Sequence, residues 1–135
     1  MGPVICGFEE EHGAAVGRVA RELAAHYDLP LLYVHVLGSP GDAEEAARTL
    51  REVAAVGGGE LAIEEGHPAD RLVELAEERR ASFLVVGNHG PRSSLLGSVS
   101  ADVSRRAPCP VIVVPWNAAG TRRPAADRDL RQVAP

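Results

Sequence analysis

The stretch Gly87-Asn88-His89-Gly90-Pro91-Arg92-Ser93-Ser94-Leu95-Leu96-Gly97-Ser98-Val99-Ser100 gathers groups that bind anions. Gly87 and Gly90 carry no Cβ, so backbone amides there can approach a ligand closely. Gly97 and Ser98 stand where a helix pattern begins, and the unpaired N–H groups of a helix start favour negative charge. Ser93, Ser94, Ser98 and Ser100 add hydroxyl donors. From 87 to 106, three arginines (Arg92, Arg105, Arg106) face one acid, Asp102, in a chain whose net charge is −5. The chemistry indicated is a cradle for a phosphate. An ordinary strand-to-helix connection capped by Ser98 would use the same residues.

Other chemistries are excluded or unsupported. All 14 basic residues are arginine, so no lysine exists for a Walker A loop, a kinase strand or a Schiff base. His12, His26, His35, His67 and His89 share no zinc-type spacing with cysteines or acids, so no metal site is expected. No nucleophile, base and orienting acid come together, so no catalytic residue is assigned and no turnover is expected. The acidic balance gives no footing for nucleic acid. Apolar runs are strand-sized, so no membrane span is expected. A strand begins almost at once with no secretory leader, which points to the cytoplasm. Cys6 stands where a myristoylation motif wants Ser or Thr.

The elements that would hold the loop alternate in type. Apolar strand runs are read at 3–8, 30–36, 60–66, 82–87 and within 107–115. Helical stripes lie between them. Val16, Val19, Ala20, Leu23, Ala24 and Tyr27 recur at three and four residues. Ala43, Ala46, Ala47, Leu50, Val53 and Ala54 do the same behind a plausible cap at Asp42. Pro68 fits the first turn of a helix that buries Leu72, Val73 and Ala76. A fourth helix runs from about Ser98 to Arg106, with Val99 and Val103 inward. Five strands and four helices in alternation give a doubly wound α/β fold with a parallel sheet. Residues 1–115 form this domain, and 116–135 read as a mobile tail. Such sheets bind ligands beyond the strands' carboxyl ends, where the strand order reverses. The pattern alone leaves two orders open, 3-2-1-4-5 and 2-1-3-4-5. Glu9-Glu10-Glu11 after the first strand would repel a flavodoxin-type phosphate. A receiver domain is disfavoured by the missing lysine and by the lack of an aspartate after the third strand.

The segment "VVGNHGPRSSLLGSVSADVSRRAPCPVIVVP" resembles the C-terminal signature of the universal stress protein family: Gly-x-x-Gly, a spacer, Gly-Ser, a helix and an Ala-Pro-Cys-Pro-Val strand. "VICGFEE", "LLYVHV" and "GHPADRLVELAEE" are similar to its first strand, second strand and third-helix entry. The resemblance covers roughly residues 3–115. It implies the order 3-2-1-4-5 and, in one subset, ATP or another adenine nucleotide with Mg at the switch point. Mapped here, the phosphate cradle would be Gly87, Gly90, Gly97 and Ser98, with Ser100 close by. Glu9 would serve the nucleoside end and Val36 would meet the base. Six residues separate Gly90 from Gly97, where that subset has nine, and three missing residues remove ~10 Å of chain contour. The acid is Glu rather than Asp, one methylene longer.

In that strand order Cys6 and Cys109 stand two strands apart, ~9–10 Å, beyond disulfide reach. The last strand becomes an apolar sheet edge. The resemblance implies a homodimer through residues 110–115. Trp116 directly follows this strand, and its position suits packing at that interface or a partly exposed place in the tail equally well. The reading is thus a dimeric stress-response module that binds an adenine nucleotide. Two alternatives are a nucleotide-free dimer acting through protein partners and a slow ATP hydrolase.

Overall fold

In the computed structural model, the described residues are 1–7, 13–37, 44, 47, 48, 50, 51, 58–88 and 98–115. They form β1 (Val4–Gly7), α1 (Gly13–Tyr27), β2 (Leu31–Leu37), β3 (Glu60–Glu65), α2 (Pro68–Arg79), β4 (Phe83–Gly87), α3 (Ser98–Arg106) and β5 (Val111–Val114). The expected helix after Asp42 shows as helical backbone at Glu44, Ala47, Arg48, Leu50 and Arg51. The tail 116–135 lies outside the described residues.

The five strands make one sheet in the order β3-β2-β1-β4-β5. Every neighbouring pair is parallel, which settles the choice that periodicity left open. Helices cover both faces, so the central strands have no polar side. Val4, Ile5 and Cys6 are fully buried, as are Leu84 and Val85. One layer of the core lies under α1 and joins Val4, Cys6, Val16, Ala20, Tyr33, Val85 and Leu50. The other lies under α2 and α3 and joins Ile5, Leu32, Val34, Leu72, Val73, Leu84, Val86 and Val103.

Local chemistry explains where the elements stop. α1 gives way at Asp28, which takes a positive φ of 55°, and the Leu29 amide then donates to the Ala24 carbonyl at 2.9 Å. Pro68 opens α2 and Arg80 closes it in the left-handed region. β5 is shorter than the apolar run suggested, because Pro108 and Pro110 have no N–H to give the ladder. The Pro110 carbonyl still accepts from the Leu84 amide at 3.0 Å.

Two arginines tie the elements of one face together. Arg71 of α2 pairs with Glu74 and reaches Glu64 of β3. Arg106, in the last turn of α3, donates to Asp70 at 2.8 Å and Asp102 at 3.0 Å. The hydrogen bond from Arg106 holds the Asp70 carboxyl below its ordinary value. That contribution to stability is present above the ordinary carboxylate range and is lost as the pH falls through the lowered value. An Arg106→Ala variant should let the Asp70 titration, followed by carboxyl NMR, move back up. An unchanged Asp70 titration would mean that the bridge does not form in solution.

Candidate functional site

The crevice is set by β1 and β4, which lie side by side with Val4 opposite Phe83 and Cys6 opposite Val85. β1 leads to α1 on one face of the sheet and β4 leads to α3 on the other. The strand order thus reverses between these two strands, and such sheets bind ligands at that point, beyond the strands' carboxyl ends. This is where the sequence placed its phosphate chemistry.

Both strands reach the crevice in a glycine, and both glycines are committed to packing. A Cβ on Gly7 would stand 3.1 Å from Leu72 Cδ1 and 3.2 Å from Val86 Cγ1. A Cβ on Gly87 would stand 3.0 Å from Val16 Cγ2 of α1. Gly87 was expected to bare its backbone to a ligand. The structure adds a packing role: with a core valine this close to where its Cβ would be, this glycine also lets α1 settle near the sheet. Beyond it, the Asn88 amide donates to the Val114 carbonyl at 3.0 Å and carries the β4–β5 pairing one residue further.

The remaining expected residues divide in position. Ser98 is the first residue of α3, so the helix start does face the crevice end of β4. Ser100 follows in the first turn and is 1% exposed. The Ser104 hydroxyl donates to its carbonyl at 2.7 Å. Val36 is half-buried, two residues beyond Val34, which is the partner of Gly7, so it stands on the β2 rim. Glu9, Gly90 and Gly97 lie outside the described residues, as do His89, Arg92 and Trp116.

Arg105 and Arg106 belong elsewhere. They occupy the last turn of α3, some 10 Å of helix rise from Ser98. Arg105 pairs with Asp102 at 3.2 Å, and Arg106 is held by Asp70 and Asp102. The surplus of positive charge counted over 87–106 therefore does not gather at the crevice. Of those three arginines only Arg92 belongs to the loop itself.

Sequence reasoning placed Leu72 on a buried helix face but did not single out Gly7 or pair the two. The signal was present in a glycine that closes the apolar run "PVICG", but its meaning depends on a helix 65 residues downstream.

Both thiols are unpaired, Cys6 in the core and Cys109 half-buried. Burial pushes the Cys6 thiol up to about 12. Among the described residues no group of three or more His, Cys, Asp or Glu could hold a metal ion. No helix among them is long and apolar enough to cross a membrane. A cavity of ≈ 450 Å³, lined by Arg21, Asp28, Gly59 and Glu60 among others, lies at the opposite end of the sheet. It is remote from the strand ends where such folds do their binding.

Comparison with known proteins follows the same lines. The Universal stress protein family profile matches residues 39–115. A universal stress protein of Mycobacterium tuberculosis strain H37Rv is 54% identical over 52 residues, covering 36% of this chain and 36% of that protein. The matched part thus spans about a third of that relative's length. A universal stress protein from Archaeoglobus fulgidus, solved in complex with dAMP, is 28% identical with a TM-score of 0.68, over 84% of this chain and 98% of that one. A universal stress protein solved in complex with cAMP is 29% identical with a TM-score of 0.67, over 87% of this chain and 100% of that one.

Proposed function

Because the chain belongs to the universal stress protein family, we propose that it is a stress-response module that binds an adenine nucleotide carrying a single phosphate between β1 and β4. The observation that carries this reading is the adjacency of those two strands, with the start of α3 at the same end of the sheet. The bound dAMP and cAMP of two structural relatives support the adenine class.

The preference for one phosphate comes from reach and charge. The Gly90–Gly97 spacer is three residues shorter than a triphosphate-wrapping loop, and Arg105 and Arg106 are held at the far end of α3. Glu9 would meet the nucleoside, Val36 the base, and Gly90, Gly97 and Ser98 the phosphate. Mg is needed chiefly by a polyphosphate, so it contributes little here. The protein works without turnover, in the cytoplasm, as a homodimer joined through residues 110–115.

Calorimetry with AMP, cAMP, ADP and ATP tests the reading. AMP and cAMP should bind, with ATP at least about tenfold weaker, a difference of ~1.4 kcal/mol. Gly90→Val should abolish binding and leave the circular dichroism unchanged. No heat with any of the four would leave the nucleotide-free dimer. Phosphate release that scales with protein and stops in Gly90→Val would make it a hydrolase.

A further inference from the structure

We propose that the cavity at the amino end of the sheet is a second ligand site, for a monocarboxylate with an apolar body, whose carboxylate is held by Arg21 with the Tyr33 hydroxyl as a further donor.

The cavity lies between the last two turns of α1, the entry to β2 and the glycine pair that precedes β3. It measures ≈ 450 Å³. Small-molecule sites span about 300–1,000 Å³. The β1–β4 crevice is at the other pole of the sheet, so this cavity is no part of the nucleotide site.

Two polar groups at this pole lack partners. Arg21 is half-buried in the cavity wall and makes no hydrogen bond or ion pair among the described residues. Arg71, Arg79, Arg105 and Arg106, by contrast, each meet a carboxylate. The Tyr33 hydroxyl is buried and has no hydrogen-bond partner. A buried hydroxyl left in that state is costly and uncommon.

The register shows where that hydroxyl points. Tyr33 is the partner of Leu61 on β3. Its ring nevertheless meets Gly59, two residues nearer the cavity: a Cβ on Gly59 would stand 3.0 Å from Tyr33 Cε2. The ring therefore leans along the sheet toward the amino end, with its hydroxyl leading. Gly59 also lines the cavity. Gly58 and Gly59 take φ values of 73° and 136°, so what this pair puts between ring and cavity is bare backbone. A small shift of the pair brings the hydroxyl to a ligand. Arg21 is close to the same spot. Cys6 is the partner of Tyr33 on β1, and the Arg21 charge is felt at the Cys6 thiol.

The charge pattern selects the ligand. Arg21 is the inner, half-buried group, whereas Asp28 and Glu60 are exposed at the rim. Asp28 stands seven residues along α1 from Arg21, ~10 Å of helix rise. Arg79 lies 3.4 Å from Glu60 and offsets part of its charge. One cation inside and acids at the mouth accept a single negative charge and repel a second. That favours a monocarboxylate over a phosphate or a dicarboxylate. A guanidinium holds a carboxylate by charge-assisted hydrogen bonds. Ala24, Leu29 and Leu31 give the rest of the ligand apolar walls.

The test is a titration of the full, isotope-labelled chain with octanoate and with benzoate, followed by amide NMR. Both should shift the Leu29, Gly58 and Gly59 amides and saturate. Octanol and octylammonium, with the same chain and no negative charge, should bind at least about tenfold more weakly, as should suberate with its second carboxylate. Arg21→Gln should weaken octanoate about tenfold. Tyr33→Phe should weaken it about threefold while leaving the urea midpoint of the free chain unchanged or higher, since it removes an unpaired buried hydroxyl. AMP should not displace octanoate. Equal binding of octanol and octanoate, or displacement by AMP, overturns the site. So does an absence of saturable shifts, and these three outcomes need no variant to fold. A Tyr33→Phe chain that is less stable without ligand, or that binds octanoate as the wild type does, overturns the role of the hydroxyl.

Discussion

Raising the pH above 9 should destabilise this protein through one buried thiol. Cys6 is fully buried between Val4, Val16, Ala20, Tyr33 and Val85. Desolvation raises its pKa from 9.0 to about 12, and the Arg21 charge offsets only part of that rise. The folded chain therefore keeps the proton over a range in which the unfolded chain has lost it. Stability is intact below pH 9 and falls as the pH climbs toward 12, by ~1.4 kcal/mol for each pH unit. The full loss is about 4 kcal/mol, a large fraction of a small domain's stability. Urea midpoints at intervals from pH 8 to about 11 should trace this slope in the wild type. Cys6→Ala should cost roughly 1 kcal/mol at neutral pH for the cavity it leaves, and should be flatter at alkaline pH by the thiol's share. An alanine variant as steep as the wild type would put the alkaline sensitivity elsewhere. Native labelling gives an independent check, since only the half-buried Cys109 should react before unfolding.

That thiol also shows why much of the fold was legible. Cys6 sits in an unbroken apolar run, as do Val85 and Val34, and a run with no polar alternate needs helices on both faces. Helices at three-and-four spacing between such runs leave few architectures, so the parallel sheet followed from pattern alone. Pattern did not choose between two strand orders, because strand adjacency depends on contacts far apart in sequence. The motif resemblance supplied the order, and the Val4–Phe83 register bears it out.

The candidate site was less legible, for three physical reasons. Charge was counted along a window, whereas α3 carries Arg105 and Arg106 a full helix length from Ser98 and closes them onto Asp70 and Asp102. Strand ends were drawn by apolarity, whereas Pro108 and Pro110 delay β5 to Val111. A glycine records that a side chain is missing and not what occupies its place. Gly7 makes room for Leu72 and Gly87 for Val16, and neither partner is near in sequence.

The last point yields a prediction that separates packing from binding. If Gly87 exists to admit α1, then Gly87→Ala should cost roughly 1–3 kcal/mol, as overpacking does. The added methyl stands 3.0 Å from a buried valine on a helix that also packs on β1 and cannot easily retreat. Val16→Ala alone should also destabilise, by leaving a cavity. Together they should cost less than the sum of the two, since each relieves the other, with a coupling of about 1 kcal/mol or more in chemical denaturation. Additive losses would show that the helix shifts and that the contact is not tight. Nucleotide binding should follow stability: weakened in Gly87→Ala and recovered in the double variant. If affinity stays low in the double variant while its stability recovers, the bare backbone at Gly87 is itself a ligand contact, and the phosphate lies deeper in the crevice than the loop residues place it.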